Sequence, residues 1–288
     1  MKIETVLSGF VPEPRGRDGL ALAVLLARQT GARLEVAFVK APAWDTPGPG
    51  RAEASAWAAF LEEQAEATLA QARELAGDEA GLVDYTHRGS GRGLVELARK
   101  RGADVVVIGS APRGGRGRIS VGSTADQLLH ASPVPVLLAP RGYAEAAPAA
   151  LTRLTVAYRR GRGADAAVQG AAKLAVALDL PLRLVTLVVA THRRHPMGEE
   201  LRAGMREQAL ADLTAAARGH RRRLEVDVQV LEGRNIATAM RAGSWEPSEM
   251  IICASSNTAP LRRVFLGDTS IKIVRAATCP VMILTRQP

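Results

Sequence analysis

The sequence predicts an α/β protein made of two similar domains in tandem, each an open five-stranded parallel sheet with helices on both faces. Two observations support this prediction. First, residues 103–140 and 248–285 repeat one order of apolar strand, polar loop, short helix and apolar strand, with Gly122 matching Gly267. Second, strand and helix patterns alternate along the whole chain, which is typical of parallel sheets covered by helices.

Residues 1–140 form the first predicted domain. Runs of β-branched and apolar residues predict strands, and longer stretches rich in Ala, Leu and charged residues predict helices. We expect strands at 2–8, 33–39, 81–87, 104–109 and 133–139, and helices at 17–30, 52–76, 91–101 and 123–131. The continuous apolar run DVVVIG at 104–109 is typical of a central strand that is buried on both faces.

Residues 151–288 form the second predicted domain, after a small, proline-bearing linker at 141–150. The same order of elements recurs in it. We expect strands at 153–158, 183–189, 224–231, 249–254 and 281–285, and helices at 164–179, 199–218, 234–242 and 268–276.

The composition and the apolar pattern of the sequence lead us to expect neither a membrane-spanning nor a secreted protein. The sequence is 47% hydrophobic, yet no apolar run approaches the roughly 20 residues that cross a bilayer, and the first residues lack the apolar core of a secretion signal. The two cysteines, Cys253 and Cys279, fall at the end of one predicted strand and the start of another, so they should lie at opposite ends of the sheet. We therefore expect a cytoplasmic protein without disulfides and without a membrane partner.

Charge is unevenly distributed. Residues 1–150 hold 17 basic and 17 acidic side chains, whereas residues 151–288 hold 21 basic and 12 acidic ones, which accounts for the net charge of +9. Two interpretations remain open. The basic half attracts a polyanion such as nucleic acid, or its arginines form an ordinary solvated face.

The loop at 110–124 has the features of an anion cradle. Glycines such as Gly114 let backbone N–H groups approach a phosphate, and Gly122 precedes a helix whose amino end attracts anions. Arginine side chains in the loop could add contacts to phosphate oxygens; they are Arg113, Arg116 and Arg118. Pro112 opposes this role because it has no N–H to donate.

A purely structural interpretation of the loop is also open. Ser123 and Asp126 have the spacing of a capping box, which needs no ligand. The loop arginines would then be solvated.

The segment GSGRG at 89–93 also precedes a helix, but it lacks the Gly-Lys-Ser/Thr ending of a phosphate loop and predicts a strand-to-helix turn.

The stretch 104–140 resembles the universal stress protein family, whose members carry Gly-x2-Gly-x9-Gly-Ser/Thr between the fourth strand and the fourth helix. Gly109, Gly122 and Ser123 match this pattern, and Pro112 stands at the second glycine. The layout of both halves extends the resemblance over essentially the full chain, as a tandem protein. The resemblance implies two Rossmann-like, adenine nucleotide alpha hydrolase-like domains.

This resemblance implies a non-enzymatic, stress-linked regulatory protein that binds ATP or another phosphate ligand in its first domain. In ATP-binding members the loop glycines and Ser/Thr hold phosphates, and an Asp at the end of the first strand and a Val near the end of the second contact the nucleoside. The Asp position falls near Ser8 and Gly9 here. The implied binding residues are Val39, Gly109, Ser110, Arg113, Gly114, Gly122, Ser123 and Thr124.

The second domain departs further from the family pattern. The four motif positions are Ala254, Asn257, Gly267 and Asp268. Asp268 is a good helix N-cap, but its carboxylate would repel a phosphate. The first-strand position falls near Tyr158 and Arg159, and the second-strand valine is Val188 or Val189. We therefore expect a structural second domain with a degenerate loop.

The resemblance also implies that the two halves pack face to face as an internal pseudo-dimer, in which the apolar last strands meet. Further homodimerisation and unidentified protein partners remain open.

Weak ATP hydrolysis is an alternative function, although no residue is evident to orient water or hold Mg²⁺. His192 and His195 have a spacing that suits a metal, but the arginines between them oppose one.

Overall fold

The computed structural model describes residues 1–43, 51–161, 163–189, 199–255 and 267–285. The first half contains β1 (Thr5–Gly9), α1 (Pro14–Thr30), β2 (Arg33–Lys40), α2 (Arg51–Ala76), β3 (Gly81–Thr86), α3 (Ser90–Arg101), β4 (Val105–Gly109), α4 (Ser123–Ala131) and β5 (Val136–Ala139). The second half contains β6 (Arg153–Ala157), α5 (Ala164–Leu178), β7 (Leu182–Val189), α6 (Glu199–Arg218), β8 (Val226–Gly233), α7 (Ile236–Arg241), β9 (Glu249–Cys253), α8 (Asp268–Ala276) and β10 (Val281–Ile283). The order of elements predicted from the sequence is confirmed.

The element boundaries differ from the predictions where local chemistry decides them. Helix α1 begins at Pro14 rather than at residue 17, because proline fits the first turn of a helix, where its missing N–H is not needed. The same helix ends at Gly31, which adopts the left-handed conformation with φ 68°. Helix α7 is shorter than predicted because the Asn235 side chain caps it by accepting the amide N–H of Thr238.

The two five-stranded sheets join into one sheet of ten strands, in the order β3-β2-β1-β4-β5-β10-β9-β6-β7-β8. The pairs within each half are parallel, and β5 and β10 pair antiparallel. In that central pair Leu137 lies opposite Met282. The expected face-to-face packing is therefore corrected: the last strands do meet, but edge to edge through backbone hydrogen bonds.

This central pairing predicts the behaviour of the isolated first half. A chain of residues 1–150 should self-associate, because the apolar β5 strand would expose an unpaired edge. Light scattering behind a size-exclusion column measures the mass. A monodisperse monomer at micromolar concentration would contradict this expectation.

Helices cover both faces of the sheet. Helices α1 and α5 contribute to one apolar layer that continues across the two halves, and α3, α4 and α8 contribute to the layer on the opposite face. The central strand β4 is buried on both sides, as its apolar run predicts. The chain order reverses between β1 and β4, since β2 and β3 extend the sheet one way and β5 the other.

The segment that joins the halves is packed. It begins with a short 3₁₀ helix, Tyr143–Ala146, whose Tyr143 ring is buried in the core. The buried carboxylate of Asp18 accepts the amide N–H groups of Gly142 at 2.8 Å and Ala144 at 2.9 Å. At the far end, the Gln29 side chain donates to the carbonyl oxygen of Leu151 at 3.0 Å. Helix α1 thus holds both ends of the linker.

The two cysteines are free and buried, and they lie at opposite ends of neighbouring strands as expected. Burial raises the pKa of both thiols, that of Cys253 to about 12. Across the described ranges, each helix is too short or too polar to pass through a bilayer.

Candidate functional site

A cleft opens at the carboxyl ends of β1 and β4, where the strand order reverses. The loops that follow these strands lead in opposite directions, which leaves a crevice where open α/β sheets commonly bind ligands. Its empty volume is about 660 Å³, part of it continuous with solvent. The lining residues are Gly9, Phe10, Val11, Arg15, Gly16, Ala37, Val39, Ser90, Leu94, Ile108, Gly109, Ala111, Gly122, Ser123, Thr124 and Ala125.

Helix α4 begins at this cleft. Gly122 is its N-cap, in an extended conformation with φ −98°, and in this fully described stretch no side chain caps the helix. The predicted capping box of Ser123 and Asp126 is therefore wrong, because Ser123 is already the first helical residue. The first-turn N–H groups and the positive end of the helix dipole are left to face the cleft, which suits an anion.

Helix α3 begins beside α4. The hydroxyl oxygens of Ser90 and Thr124, one from each helix start, lie 2.7 Å apart. Gly91 permits this approach, since a Cβ atom there would lie 2.7 Å from the carbonyl oxygen of Thr124. The amide of Arg92 donates to the Gln127 side chain at 3.1 Å, which ties the two helices together. Two helix amino ends with hydroxyl side chains therefore converge on the cleft.

The first part of the predicted phosphate loop makes hydrogen bonds that hold the loop in shape. Ser110 is 2% exposed, and its hydroxyl oxygen accepts the amide N–H of Ser120 at 2.9 Å. The guanidinium of Arg141 donates to the carbonyl oxygens of Pro112 at 3.1 Å and Gly114 at 2.7 Å. Of the predicted binding residues, Ser110, Arg113 and Gly114 do not line the cleft.

Two of the loop arginines have partners away from the cleft. Arg116 forms an ion pair with Glu145, next to the linker. Arg118 donates to the carbonyl oxygen of Ala276 at the end of α8, in the other half of the chain. Arg113 is exposed. The predicted role of Arg116 and Arg118 in phosphate binding is corrected to one in holding the loop.

Gly109 has a packing role that the sequence motif does not reveal. A Cβ atom at this position would lie 1.9 Å from the carbonyl oxygen of Arg15. Arg15 belongs to helix α1, and so does Gly19 one turn later, whose own added Cβ would lie 2.6 Å from the amide nitrogen of Gly109. Glycine at 109 is therefore required by the contact between α1 and β4, whether or not a ligand binds.

The remaining five predicted binding residues lie around one cleft. Val39, Gly109, Gly122, Ser123 and Thr124 all line the cleft. Sequence reasoning missed Arg15 and Ser90. Ser90 lies in the GSGRG turn, whose position just before a helix was the available signal.

Gly9 is the residue at the end of β1 that faces this cleft. A Cβ atom there would point at the side chains of Leu94, 2.7 Å away, and Ile108, 3.1 Å away. The neighbouring Ser8 is buried and does not line the cleft. The position at which the family resemblance calls for an acid therefore contributes no side chain at all.

The second half has a cleft at the corresponding place with different chemistry. Asp268 lines it, together with Tyr158 and Arg159. Asp268 is not the N-cap that the sequence suggests, because Gly267 takes that position and Asp268 is the first helical residue. Its carboxylate lies 2.6 Å from the ammonium group of Lys272. A negative charge therefore stands at the start of α8, where α4 offers only a hydroxyl.

Tyr158 further changes this second cleft. Its side chain is buried, and its hydroxyl lies 3.4 Å from a carboxylate oxygen of Asp165. Burial, followed by the negative charge of Asp165, raises the pKa of the Tyr158 hydroxyl. A neutral aromatic side chain thus occupies the end of the strand equivalent to β1.

Some sequence predictions fall on residues outside the described ranges. These are Asn257 of the second loop and the histidines His192 and His195. Among the described residues, no cluster of three or more His, Cys, Asp or Glu side chains could hold a metal ion.

Both halves of the chain match the model of the universal stress protein family, over residues 4–140 and 151–285. A universal stress protein of Mycobacterium tuberculosis strain H37Rv is 33% identical over 293 residues, covering 97% of this chain and 99% of the relative. A universal stress protein of Mycobacterium bovis matches to the same extent.

Solved structures show the same fold. The crystal structure of a universal stress protein from Archaeoglobus fulgidus superimposes with a TM-score of 0.63 at 17% identity, covering 98% of this chain and 96% of the other. A putative universal stress protein from Pseudomonas aeruginosa gives a TM-score of 0.56 at 14% identity, with coverages of 98% and 93%.

Proposed function

The chain belongs to the universal stress protein family, and we propose that it is a cytoplasmic, non-enzymatic regulatory protein of the stress response whose first half binds a phosphate-bearing ligand. The observation that carries this proposal is the uncapped amino end of α4, which begins at the cleft with Gly122. ATP is the first ligand to test, since the family resemblance implies it.

The binding residues in this proposal are fewer than the motif suggests. The N–H groups that follow Gly122 and the hydroxyls of Ser123 and Thr124 would receive the phosphate, with the Ser90 hydroxyl from α3 beside them. Arg15 adds positive charge to the lining, although Glu13 lies 2.7 Å from its Nε atom. Gly109 supports the site by allowing α1 to pack.

Binding without catalysis is supported by the chemistry of the lining. None of the described residues that line the cleft carries a carboxylate or an imidazole. Phosphoryl transfer needs a group that orients the nucleophile and acids that hold Mg²⁺, and these side chains supply neither. Weak ATP hydrolysis remains the alternative, and release of phosphate during an ATP titration would reveal it.

We further propose that the second half does not bind phosphate and acts as a structural partner. The carboxylate of Asp268 stands where Ser123 stands in the first half, and like charges within a few ångströms repel. The alternative of polyanion binding through the basic half finds less support. Several of its arginines are paired internally, among them Arg153, Arg160, Arg183 and Arg206.

Replacing Ser123 by aspartate, the residue at the matching position of the second half, tests the proposal. Ser123→Asp should lower the affinity for ATP by about fivefold to several hundredfold, since a new charge near phosphate costs on the order of 1–4 kcal/mol. Calorimetric titration measures the dissociation constant, with AMP and cyclic AMP as competitors. Gly122→Asp should abolish binding altogether, but a Cβ atom at residue 122 would lie 2.8 Å from the Cβ atom of Ala111, so the fold of this variant must be checked.

Gly115→Asp is the matched control, because it adds the same charge to the same loop at a residue outside the cleft lining. Its ATP affinity should stay within about threefold of the wild type. Absence of ATP binding up to millimolar concentration in the wild-type protein would defeat ATP as the ligand. Equal affinity of wild type and Ser123→Asp would place the ligand elsewhere.

A further inference from the structure

A separate cavity of the second half lies between helices α5 and α6, beside the end of β6. Its empty volume is about 870 Å³, part of it continuous with solvent. The equivalent helices of the first half, α1 and α2, pack more closely on each other than α5 and α6 do. The polar residues that line this α5–α6 cavity are Tyr158, Arg160, Asp165, Gln169, Asp212 and His220.

The hydroxyl of Tyr158 is a buried polar group without a strong partner. The residue is 6% exposed and lines the cavity. The hydroxyl lies 3.4 Å from a carboxylate oxygen of Asp165, a distance longer than the roughly 2.5–3.0 Å of an ordinary O–H···O bond. A buried hydroxyl without a good hydrogen bond costs free energy, and a polar ligand in the cavity would supply the missing partner.

The two carboxylates of the cavity are only partly neutralised. The Oδ1 atom of Asp212 accepts from Arg160 at 2.9 Å and from Gln208 at 3.0 Å, so its Oδ2 atom has no donor among the described residues. Within the same ranges, no basic side chain forms an ion pair with Asp165. Two acids and one guanidinium leave one negative charge in excess when the imidazole of His220 is neutral, and this excess attracts a cation.

The same two charges act on the Tyr158 hydroxyl. Burial raises its pKa most, and the negative charges of Asp165 and then Asp212 raise it further. Both carboxylates therefore lie within electrostatic reach of this hydroxyl, and the hydroxyl keeps its proton. Its oxygen remains free to accept a hydrogen bond from a ligand.

A primary ammonium group matches this arrangement. It carries one positive charge and three N–H donors, and the cavity offers acceptors on Asp165, Asp212 and Tyr158. Gln169 and His220 can each donate and accept, which suits hydroxyl groups elsewhere on the ligand. We infer that the α5–α6 cavity binds a small primary amine with a hydroxylated body, such as an amino sugar, independently of the phosphate site proposed in the first half.

Calorimetric titration of the full-length protein with three small molecules of similar size tests this inference, in a buffer free of amines. D-Glucosamine carries both features, D-glucose lacks the ammonium group and cyclohexylamine lacks the hydroxyl groups. We expect saturable binding of glucosamine and at least tenfold weaker binding of each of the other two.

Two conservative substitutions locate the ligand. Asp165→Asn removes the charge and keeps the shape of the side chain, and it should weaken glucosamine binding at least tenfold. Tyr158→Phe removes only the weakly bonded hydroxyl and should weaken binding about threefold to tenfold.

Asp179→Asn is the matched control, because it makes the same change at the other end of α5, outside the cavity lining. The two positions are about 21 Å apart along the helix axis, well beyond the screening length of about 8–10 Å. Asparagine also tolerates the left-handed conformation of this residue, with φ 53°. The control should bind glucosamine within about twofold of the wild type.

Three results would overturn the inference. Absence of glucosamine binding up to tens of millimolar would show that the cavity is not an amine site. Equal affinity for glucosamine and either comparison molecule would remove the requirement for the group that this molecule lacks. Equal weakening by Asp165→Asn and Asp179→Asn would place the amine elsewhere on the surface. None of these results bears on phosphate binding in the first half.

Discussion

Replacing Glu249 by alanine should destabilise the second half by about 3–5 kcal/mol, because the buried guanidinium of Arg183 would lose its counter-ion. The two residues are 0% and 2% exposed, and Arg183 Nη2 lies 2.6 Å from Glu249 Oε1. Burial lowers the pKa of the Arg183 guanidinium, and the negative charge of Glu249 opposes that shift. Without the carboxylate, the buried guanidinium keeps its hydrogen bonds to Thr155, Gln229 and Ser244 but loses the negative charge that offsets the cost of burial.

The surroundings of the pair make relaxation difficult. The Thr155 hydroxyl donates to Glu249 and accepts from Arg183 Nε at 3.0 Å. Arg153 Nη2 lies 2.9 Å from the second carboxylate oxygen, and the Arg183 guanidinium stacks 4.6 Å from the centre of the Trp245 ring. The substitution therefore removes the acceptor on which three side chains converge.

Urea denaturation followed by circular dichroism measures the loss. Glu246→Ala, at an exposed carboxylate three residues earlier, is the matched control and should change the free energy of unfolding by no more than about 0.5 kcal/mol. The double variant Arg183→Met with Glu249→Leu should recover most of the loss, since apolar replacement of a buried pair is often neutral. A Glu249→Ala protein as stable as the control would refute the account.

The second large effect is expected at Gly109. Gly109→Ala should destabilise the first half by about 3 kcal/mol, because a methyl group cannot share space with a backbone carbonyl that itself belongs to a packed helix. The distance of 1.9 Å between the added Cβ and the Arg15 oxygen forces α1 away from β4. Displacement of α1 also moves the Arg15 side of the cleft.

Gly115→Ala is the control for this prediction. It makes the same substitution in the loop that follows, where the nearest atom to an added Cβ is a side-chain carbon of Arg118 at 3.9 Å. The control should be neutral within about 0.5 kcal/mol. Thermal unfolding compares the two variants, and similar midpoints for both would show that α1 adjusts freely.

The sequence was sufficient to predict the elements and their order. Apolar runs such as 104–109 mark the buried strands, and the glycines at 31 and 102 end helices in the left-handed conformation. Both signals depend only on residues that are close together in the chain, so they can be read from a single sequence. The edge-to-edge join was not predictable, because the apolar pattern of β5 and β10 shows that both strands are buried but not against which neighbour.

The candidate site was predictable only in part, for a similar reason. The motif located Gly122, Ser123 and Thr124 correctly at a helix start. It assigned Ser110 and Gly109 to the ligand, although both are required by the protein itself. Glycine and serine occur in tight packing and in anion sites alike, and only three-dimensional neighbours tell the two uses apart.

The continuous ten-stranded sheet has a consequence for how the two clefts can differ. A pair of separate identical chains always presents two copies of the same cleft, and its assembly depends on concentration. Here a packed linker makes the pairing of β5 with β10 an intramolecular event. Because the two halves are covalently joined, the equivalent positions Ser123 and Asp268 of the two clefts can mutate independently. The sheet that carries both clefts stays assembled at any dilution.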